Sequence, residues 1–207
     1  MLRIPLKSAV TELITPTAKF ALKLGITANA VTIFGAVSSW VASLYFFTTE
    51  KFFVGTLVIT VLVLSDLFDG VMARLSGDHH SKFGALLDST LDRVTDAILL
   101  ISLLLWALSD PLSLQDDLAR LDRIIALLLI ALLSGFLISY IKAKAESLDI
   151  DCEVGVAERA ERLIVLLVAT GFYGLGIEPA LEIGLWVLVV INLITVFQRS
   201  HHVMKAS

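Results

Sequence analysis

The sequence predicts an all-α integral membrane protein with six transmembrane helices and an N-terminal amphipathic helix on the membrane surface. Of its 207 residues, 57% are hydrophobic and only 17% are charged. Soluble domains average roughly 45–50% apolar and about 25% charged residues, so this apolar excess exceeds what one soluble core can bury. Two further observations support the prediction: six separate apolar segments, and a strong bias of basic residues toward one side of them.

The first 23 residues mix apolar side chains with lysines and one glutamate. This mixture predicts an amphipathic helix over residues 1–23 that lies on the inner face of the membrane. Residues 24–203 are then expected to form the six-helix bundle and its tail. The whole chain, residues 1–207, is therefore predicted to be a single membrane domain.

Six apolar segments cover residues 24–49, 52–65, 97–109, 124–141, 163–177 and 183–198. A spanning helix needs about 20 residues, because each residue adds about 1.5 Å and the hydrocarbon core is roughly 30 Å thick. The second and third segments are too short. We therefore expect the second helix to continue through Asp66 and Asp69. The third is expected to begin upstream and to include Asp88, Asp92, Arg93 and Asp96.

Basic residues predict the orientation of the bundle. Six spans would place twelve of the sixteen Lys and Arg residues on one side and three on the other, with Arg93 inside a span. By the positive-inside rule, both termini and the polar motifs should face the cytoplasm at the plasma membrane. The net charge of -4 argues against nucleic-acid binding, and the single cysteine, Cys152, excludes an intramolecular disulfide.

Four aspartates recur at helical spacing. Asp66 and Asp69 would share one helix face, and Asp88 and Asp92 would share another, with residues 75–83 predicted as the loop between them. Carboxylates at membrane depth are costly, and four together would repel one another unless cations balanced them. Oxygen ligands suit two Mg²⁺ ions, or Mn²⁺, and two such ions can promote phosphoryl displacement. The alternative is ion pairing of the acids with Arg74, Lys82 and Arg93.

The acidic segment resembles the signature of the CDP-alcohol phosphotransferases. It reads Asp66-Leu-Phe-Asp69-Gly70-Val-Met-Ala73-Arg74, followed by Gly84-Ala-Leu-Leu-Asp88-Ser-Thr-Leu-Asp92. The resemblance implies transfer of a substituted phosphate from a CDP-linked donor to an alcohol, with release of CMP. It also implies that Asp66, Asp69 and Asp88 bind one metal ion and that Asp88 and Asp92 serve a second. Asp92 would in addition be the catalytic general base.

The same resemblance assigns residues to the donor. The stretch Thr27-Ala28-Asn29-Ala30-Val31-Thr32 is similar to a family element near the cytidine and the lipid, with Ala28 where the family usually has proline. The residues that the resemblance places around CDP-diacylglycerol are Asn29, Ala30, Val31, Thr32, Gly70, Ala73, Arg74, Ser81 and Gly84.

Three later stretches, residues 139–146, 158–164 and 198–199, resemble the actinobacterial phosphatidylinositol phosphate synthases, a branch of this family. That branch uses CDP-diacylglycerol and inositol 1-phosphate, and the resemblance also implies a homodimer. Lys144 and Ala160 stand where related sequences often have arginine and proline. The acceptor phosphate is assigned by position to Lys142, Arg162 and Arg199, with Lys144 and Arg159 nearby. Positive-inside flanking would also explain cations at these helix ends.

Two other functions stay open. A sibling enzyme that uses glycerol 3-phosphate or another alcohol would carry the same donor motif. A cation transporter would also place acids at membrane depth, although no internal repeat is visible in the sequence.

Residues outside these motifs are predicted to have structural roles. Asp96 continues the aspartate series by one turn, and we expect it to pair with Arg93 or with another helix, the alternative being support of the metal site. Trp40, Trp106, Trp186 and Tyr173 are expected to face lipid or the membrane interface.

Overall fold

The computed structural model describes residues 15–64, 66–76, 82–109 and 117–206, and within these ranges every regular element is an α-helix. The prediction of an all-α chain is therefore confirmed for the described residues. The helices are α1 (15–23, as far as it is described), α2 (Ala28–Thr48), α3 (Phe52–Val63), α4 (Asp66–Ser76), α5 (Lys82–Leu108), α6 (Leu118–Glu146), α7 (Arg159–Gly174) and α8 (Pro179–Ala206).

Three helices, α2, α6 and α8, are long and apolar enough to cross a membrane. They leave large apolar side chains exposed along their lengths, among them Phe34, Leu133 and Phe197, as lipid-facing helices do. Helix α3 is also apolar but has only 12 residues. The described part of the chain therefore contains three candidate spans, and the count of six remains a prediction.

Both short apolar segments were expected to extend into the acidic motif, and only one of them does so as a single helix. The third begins upstream as expected, because α5 is one continuous helix of 27 residues that includes Asp88, Asp92 and Asp96. The second does not continue as one helix: α3 ends at Val63, Leu64 lies in a turn, and α4 begins at Asp66. An acidic residue suits this position, because negative charge is stabilised at a helix N-terminus. The predicted loop over residues 75–83 is also shorter, since α4 continues to residue 76 and α5 begins at residue 82.

The described residues divide into two compact units, drawn from Met1–Ala42 with Val58–Thr95 and from Ser43–Leu57 with Asp96–Ser207. In the first unit, Ala18 of α1 packs in a buried cluster with Val71 and Met72 of α4. Helices α2 and α5 are joined in the same unit by the indole N–H of Trp40, which donates to Oγ1 of Thr95 at 2.9 Å. These contacts position α4 and the first part of α5, and the single domain stays a prediction.

The second unit is organised around α6, α7 and α8. Nδ2 of Asn192 on α8 donates to Oγ of Ser134 on α6 at 3.0 Å, and both residues are buried. Near the start of both helices, Nε of Arg123 lies 2.8 Å from Oε1 of Glu182. Helix α7 meets α8 where Gly184 faces Ala169. A glycine at this crossing allows the two helix backbones to approach closely.

An aromatic cluster of Phe52, Trp106 and Tyr173 lies in the second unit. The Trp106 ring packs edge-on against Phe52 and Tyr173, with ring centroids 4.9 Å and 5.4 Å apart. Trp106 is 0% exposed, so the expectation that it faces lipid or the interface is wrong. The physical reason is that its large ring fills space between α3, α5 and α7, while its N–H finds a partner in Glu50 at 3.4 Å. Trp186, by contrast, is half exposed.

The close approach of α7 and α8 predicts that Gly184→Ala destabilises the protein. The added methyl group would collide with Cβ of Ala169, and such overpacking costs about 1–3 kcal/mol of unfolding free energy. Gly135→Ala on α6 is the matched control, because its methyl group meets nothing within 4 Å and alanine favours the helix. Thermal unfolding of the two purified variants in detergent measures the difference. Equal midpoints would contradict the packing argument.

Candidate active site

Helix α4 has an apolar face and an aspartate face. Val71 and Met72 lie on the apolar face and are buried in the cluster that includes Ala18 of α1. Helical spacing places Asp66, Asp69 and Gly70 on the opposite face. The side chains of Asp66 and Asp69 lie outside the described part of the structure. The packing of the apolar face therefore turns the opposite face of α4, with positions 66 and 69, away from the buried cluster.

Asp88 and Asp92 lie one turn apart on α5. Asp88 is exposed, whereas Asp92 is half-buried with 16% of its side chain exposed. Nη1 of Arg93 lies 3.5 Å from Oδ2 of Asp92 and also donates to the carbonyl oxygen of Ser89 at 3.1 Å. Asp92 therefore has Arg93 as an ion-pair neighbour, as predicted by the alternative in which the acids form ion pairs. About a third of that arginine side chain is exposed, and such partly exposed pairs are weak, so they compete little with a divalent cation.

The donor atoms of this region are carboxylate oxygens. Among the side chains that the structure describes, no group of three His, Cys, Asp or Glu converges on one metal position, and Asp66 and Asp69 stand outside that set. A set of four carboxylates without nitrogen or sulfur ligands fits Mg²⁺ or Mn²⁺ rather than Zn²⁺. The residues are thus chemically suited to such ions, and their assignment as ligands remains a prediction.

The start of α2 is a capped helix terminus. The backbone N–H of Ala30 donates to Oγ1 of Thr27 at 3.2 Å, and the hydroxyl of Thr32 donates to the carbonyl oxygen of Ala28 at 3.1 Å. Ala28 is the first helical residue, a position that favours proline. Alanine stands there instead of the family's proline, and the Thr27 side chain still caps the helix. Val31 packs against the buried cluster of α1 and α4. The structure thus brings the start of α2 close to α4.

The other residues predicted around the donor are distributed along α2, α4 and α5. Asn29 is half-buried and Ala30 is exposed. Gly70, Ala73 and Gly84 are half-buried, Arg74 is exposed, and Ser81 lies outside the described residues. A methyl group on Gly70 would lie 4.0 Å from Nη1 of Arg74, so this part of α4 has little side-chain bulk beside a guanidinium group.

Asp96 joins two of the predicted acceptor cations in the second unit. Its Oδ2 lies 3.0 Å from Nη2 of Arg162, and its Oδ1 lies 3.5 Å from Nε of Arg159. We expected Asp96 to pair with Arg93 or with another helix. The second alternative is confirmed, and the partner helix is α7. Sequence spacing alone could not identify that helix, because Asp96 and Arg162 are 66 residues apart.

The remaining predicted acceptor cations contact other groups. Arg199 is 6% exposed, and its Nε and Nη1 donate to the carbonyl oxygens of Val154 and Ile138, each at 2.8 Å. Lys142 lies 3.8 Å from Glu146 one turn later on α6, and Lys144 is exposed. The described contacts therefore bring Arg159 and Arg162 together, while Arg199 joins α8 to α6 and to the segment that precedes α7.

A polar stripe on α8 holds the α6–α7 loop, a role that was not predicted from the sequence, where only Arg199 of the stripe was assigned a function. The stripe consists of Thr195, Gln198, Arg199 and His202, which share one helix face. Oγ1 of Thr195 accepts from the N–H of Ala157 at 3.0 Å, and Oε1 of Gln198 accepts from the N–H of Val156 at 3.1 Å. A ring nitrogen of His202 lies 2.9 Å from the carbonyl oxygen of Asp151. The recognisable signal was the polar i, i+3, i+4, i+7 spacing at the end of an apolar helix.

Gly155 allows the loop to approach this stripe. Its φ of +138° is unfavourable for other residues, and a methyl group there would lie 2.6 Å from Cγ2 of Thr195. The loop leads directly into α7, which carries Arg159 and Arg162. Helix α8 thus helps to fix the start of α7, the helix that carries both arginines.

A sequence model of the CDP-alcohol phosphatidyltransferase family matches residues 25–198 of this chain. The chain belongs to that family. A phosphatidylinositol phosphate synthase of Streptomyces avermitilis is 40% identical over 204 residues, which cover 95% of this chain and 80% of the relative. A phosphatidylinositol phosphate synthase of Mycobacterium tuberculosis is 37% identical over 200 residues, which cover 95% of this chain and 88% of the relative.

Crystal structures of the Mycobacterium tuberculosis phosphatidylinositol phosphate synthase have similar folds. The complex with CDP-diacylglycerol has a TM-score of 0.84 and 36% identity, over 94% of each chain. The complex with manganese and citrate has a TM-score of 0.83 and 37% identity, over 93% of this chain and 89% of that one. The predicted family is confirmed, and the chain is a transferase of the CDP-alcohol phosphatidyltransferase family rather than a cation transporter.

The contact between Thr195 and the loop predicts that Thr195→Val lowers stability. Valine keeps the shape but leaves the N–H of Ala157, a buried residue, without its acceptor, which costs about 1–3 kcal/mol of unfolding free energy. Thr195→Ser keeps the hydroxyl group and serves as the matched control. Thermal unfolding in detergent compares the two variants with the unmodified protein, and a Thr195→Val midpoint equal to that of the unmodified protein would refute the role of this hydrogen bond.

Proposed function

We propose that this chain transfers the phosphatidyl group of CDP-diacylglycerol to inositol 1-phosphate, which yields phosphatidylinositol phosphate and CMP. The observation that carries the proposal is the combination of a complete aspartate motif on α4 and α5 with chain-long similarity to phosphatidylinositol phosphate synthases. The similar structure that contains CDP-diacylglycerol supports the donor assignment. Arginines at the start of α7 support an acceptor that carries a phosphate.

In this proposal, Asp66, Asp69, Asp88 and Asp92 hold two Mg²⁺ ions, with Mn²⁺ as the alternative. The manganese complex of a similar protein supports a divalent ion. When bound, such ions would neutralise charge on the donor pyrophosphate and on the departing CMP. The residues proposed around CDP-diacylglycerol are Asn29, Ala30, Val31, Thr32, Gly70, Ala73, Arg74, Ser81 and Gly84. Small residues among them allow a nucleotide to approach the backbone, and an exposed arginine suits a phosphate.

The proposed reaction is a direct displacement at phosphorus. The Asp92 carboxylate accepts the proton of the inositol hydroxyl as that oxygen attacks the phosphorus that bears diacylglycerol. The bond between this phosphorus and the CMP oxygen breaks, and CMP leaves with the bonding electron pair. Asp92 is half-buried rather than enclosed, which leaves its carboxylate accessible to a substrate from solution.

The acceptor phosphate is proposed to bind Lys142, Arg162 and Arg199, with Lys144 and Arg159 contributing. Arg159 and Arg162 carry two positive charges against the single negative charge of Asp96, the acid that contacts both. Each guanidinium presents five N–H donors in a planar fork that matches phosphate oxygens. Asp96 contacts one nitrogen of each guanidinium group, Nη2 of Arg162 and Nε of Arg159.

The membrane arrangement is part of the proposal. Six transmembrane helices would follow an interfacial helix over residues 1–23, of which residues 1–14 lie outside the described part. The three candidate spans and the helical conformation of residues 15–23 support this arrangement. The basic-residue bias supports an active site on the cytoplasmic side of the plasma membrane. The homodimer is proposed from the family resemblance alone.

An acceptor panel tests the proposed function. Purified full-length protein in detergent, with CDP-diacylglycerol and Mg²⁺, should release CMP fastest with inositol 1-phosphate. Glycerol 3-phosphate and free inositol complete the panel. Faster release with glycerol 3-phosphate would favour the sibling enzyme, and faster release with free inositol would remove the need for a cationic phosphate site.

The Asp92→Asn variant is the catalytic control in the same assay. Loss of a general base should lower turnover about 10²–10⁴-fold, while binding of CDP-diacylglycerol is retained. A turnover close to that of the unmodified protein would contradict the assignment of Asp92 as the base.

The acceptor site predicts a selective effect of Arg162→Ala. Removal of a charged hydrogen-bond donor should raise KM for inositol 1-phosphate by about ten-fold, roughly 1.4 kcal/mol, and leave KM for CDP-diacylglycerol unchanged. Arg123→Ala is the matched control, since Arg123 is exposed and pairs with Glu182. Initial rates of CMP release supply both constants. An unchanged acceptor KM would argue against a phosphate contact at Arg162.

A further inference from the structure

Asp96 is an acid of α5 whose role the aspartate motif does not explain. It follows Asp92 by four residues, one helical turn, but its described ion-pair partners, Arg159 and Arg162, lie on α7. From the sequence, support of the metal site was the alternative to pairing with Arg93 or another helix. Its contacts instead relate it to the cations assigned to the acceptor.

The two contacts of Asp96 differ in strength. The 3.0 Å distance between Oδ2 and Nη2 of Arg162 is that of a charge-assisted hydrogen bond, and Nη1 of the same arginine lies 3.5 Å from the carbonyl oxygen of Ala157. The 3.5 Å distance between Oδ1 and Nε of Arg159 is an ion-pair contact that is longer than a good hydrogen bond. Asp96 therefore holds Arg162 firmly and Arg159 more loosely.

Burial makes the carboxylate important for Arg162. This arginine is 8% exposed, and the rest of α7 after it is largely apolar. A charged group at such a position is stable only when it is paired and hydrogen-bonded. A guanidinium whose direction is fixed in advance loses less conformational entropy when it binds a phosphate.

We propose that Asp96 is a positioning residue for the acceptor, which orients the Arg162 and Arg159 guanidinium groups so that they receive the phosphate group of an inositol phosphate. The inference rests on the proposed function and adds a residue that the family motif does not include. Asp96 does not touch the acceptor, and it acts through the two arginines. The carboxylate holds Arg162 by a charge-assisted hydrogen bond and Arg159 by a longer ion-pair contact, so one acid sets the direction of one guanidinium group and restrains the other.

The test compares Asp96→Asn with the unmodified full-length protein by initial rates of CMP release. Asparagine keeps the shape of aspartate but removes its charge, so Arg162 loses its charged partner. We expect KM for inositol 1-phosphate to rise about ten-fold, with KM for CDP-diacylglycerol unchanged. Asp122→Asn, the same change at an exposed aspartate of α6, should leave both constants unchanged. An acceptor KM in Asp96→Asn that equals or falls below that of the unmodified protein would overturn the inference.

A double-mutant cycle with Arg162→Lys shows whether Asp96 acts through Arg162. If it does, the acceptor KM of the double variant should be no higher than that of the more impaired single variant, because coupled residues are not additive. Fully additive effects would overturn the inference, as they would indicate independent roles.

Asp96→Glu provides the test if the asparagine variant fails to fold. Glutamate keeps the charge but moves the carboxylate, so the acceptor KM should rise several-fold in a folded protein. An unchanged acceptor KM would leave Asp96 as a structural partner only. Failure of the proposed function is a separate result: the unmodified protein would then release no CMP in response to inositol 1-phosphate.

Discussion

Arg162 carries a full positive charge at a position where only 8% of the residue is exposed. An isolated charge at such a site would cost several kcal/mol, and the carboxylate of Asp96 at 3.0 Å offsets that cost. The pair joins α5 to α7 within the second unit, and the loop before α7 is joined to α8 by hydrogen bonds. The same carboxylate contacts Arg159, so Asp96 relates two arginines at the start of α7 to α5.

Each unit combines an apolar packing surface with a polar surface that carries the chemistry. In the first unit, burial of Val71 and Met72 turns the opposite face of α4, with positions 66 and 69, away from the buried cluster. In the second unit, apolar contacts and the Ser134–Asn192 hydrogen bond hold α6 against α8, and the stripe of α8 extends this packing to the loop. Functional groups are thus placed by neighbours that take no part in the proposed chemistry.

The sequence predicted features that depend on local spacing or on helix length. The extension of α5 upstream to include Asp88 and Asp92 followed from the length that a spanning helix requires, and the aspartate motif identified the family. The break between α3 and α4 was not predicted, because hydropathy alone does not locate a helix end. The partner of Asp96, the burial of Trp106 and the loop contacts of Thr195 were also beyond sequence reasoning. Each depends on a contact between residues far apart in the chain, which local periodicity does not encode.

The stripe of α8 recognises the α6–α7 loop through main-chain atoms. Its contacts go to the carbonyl oxygens of Asp151 and Val154 and to the N–H groups of Val156 and Ala157. Any amino acid other than proline supplies the same N–H and carbonyl groups, so most side chains of this loop are not constrained by the stripe. Gly155 is the exception, because its φ and its proximity to Thr195 exclude a larger residue. The stripe therefore constrains the backbone path of this loop more than its side chains, and the loop side chains that are constrained by burial instead are Cys152 and Ala157, each 0% exposed.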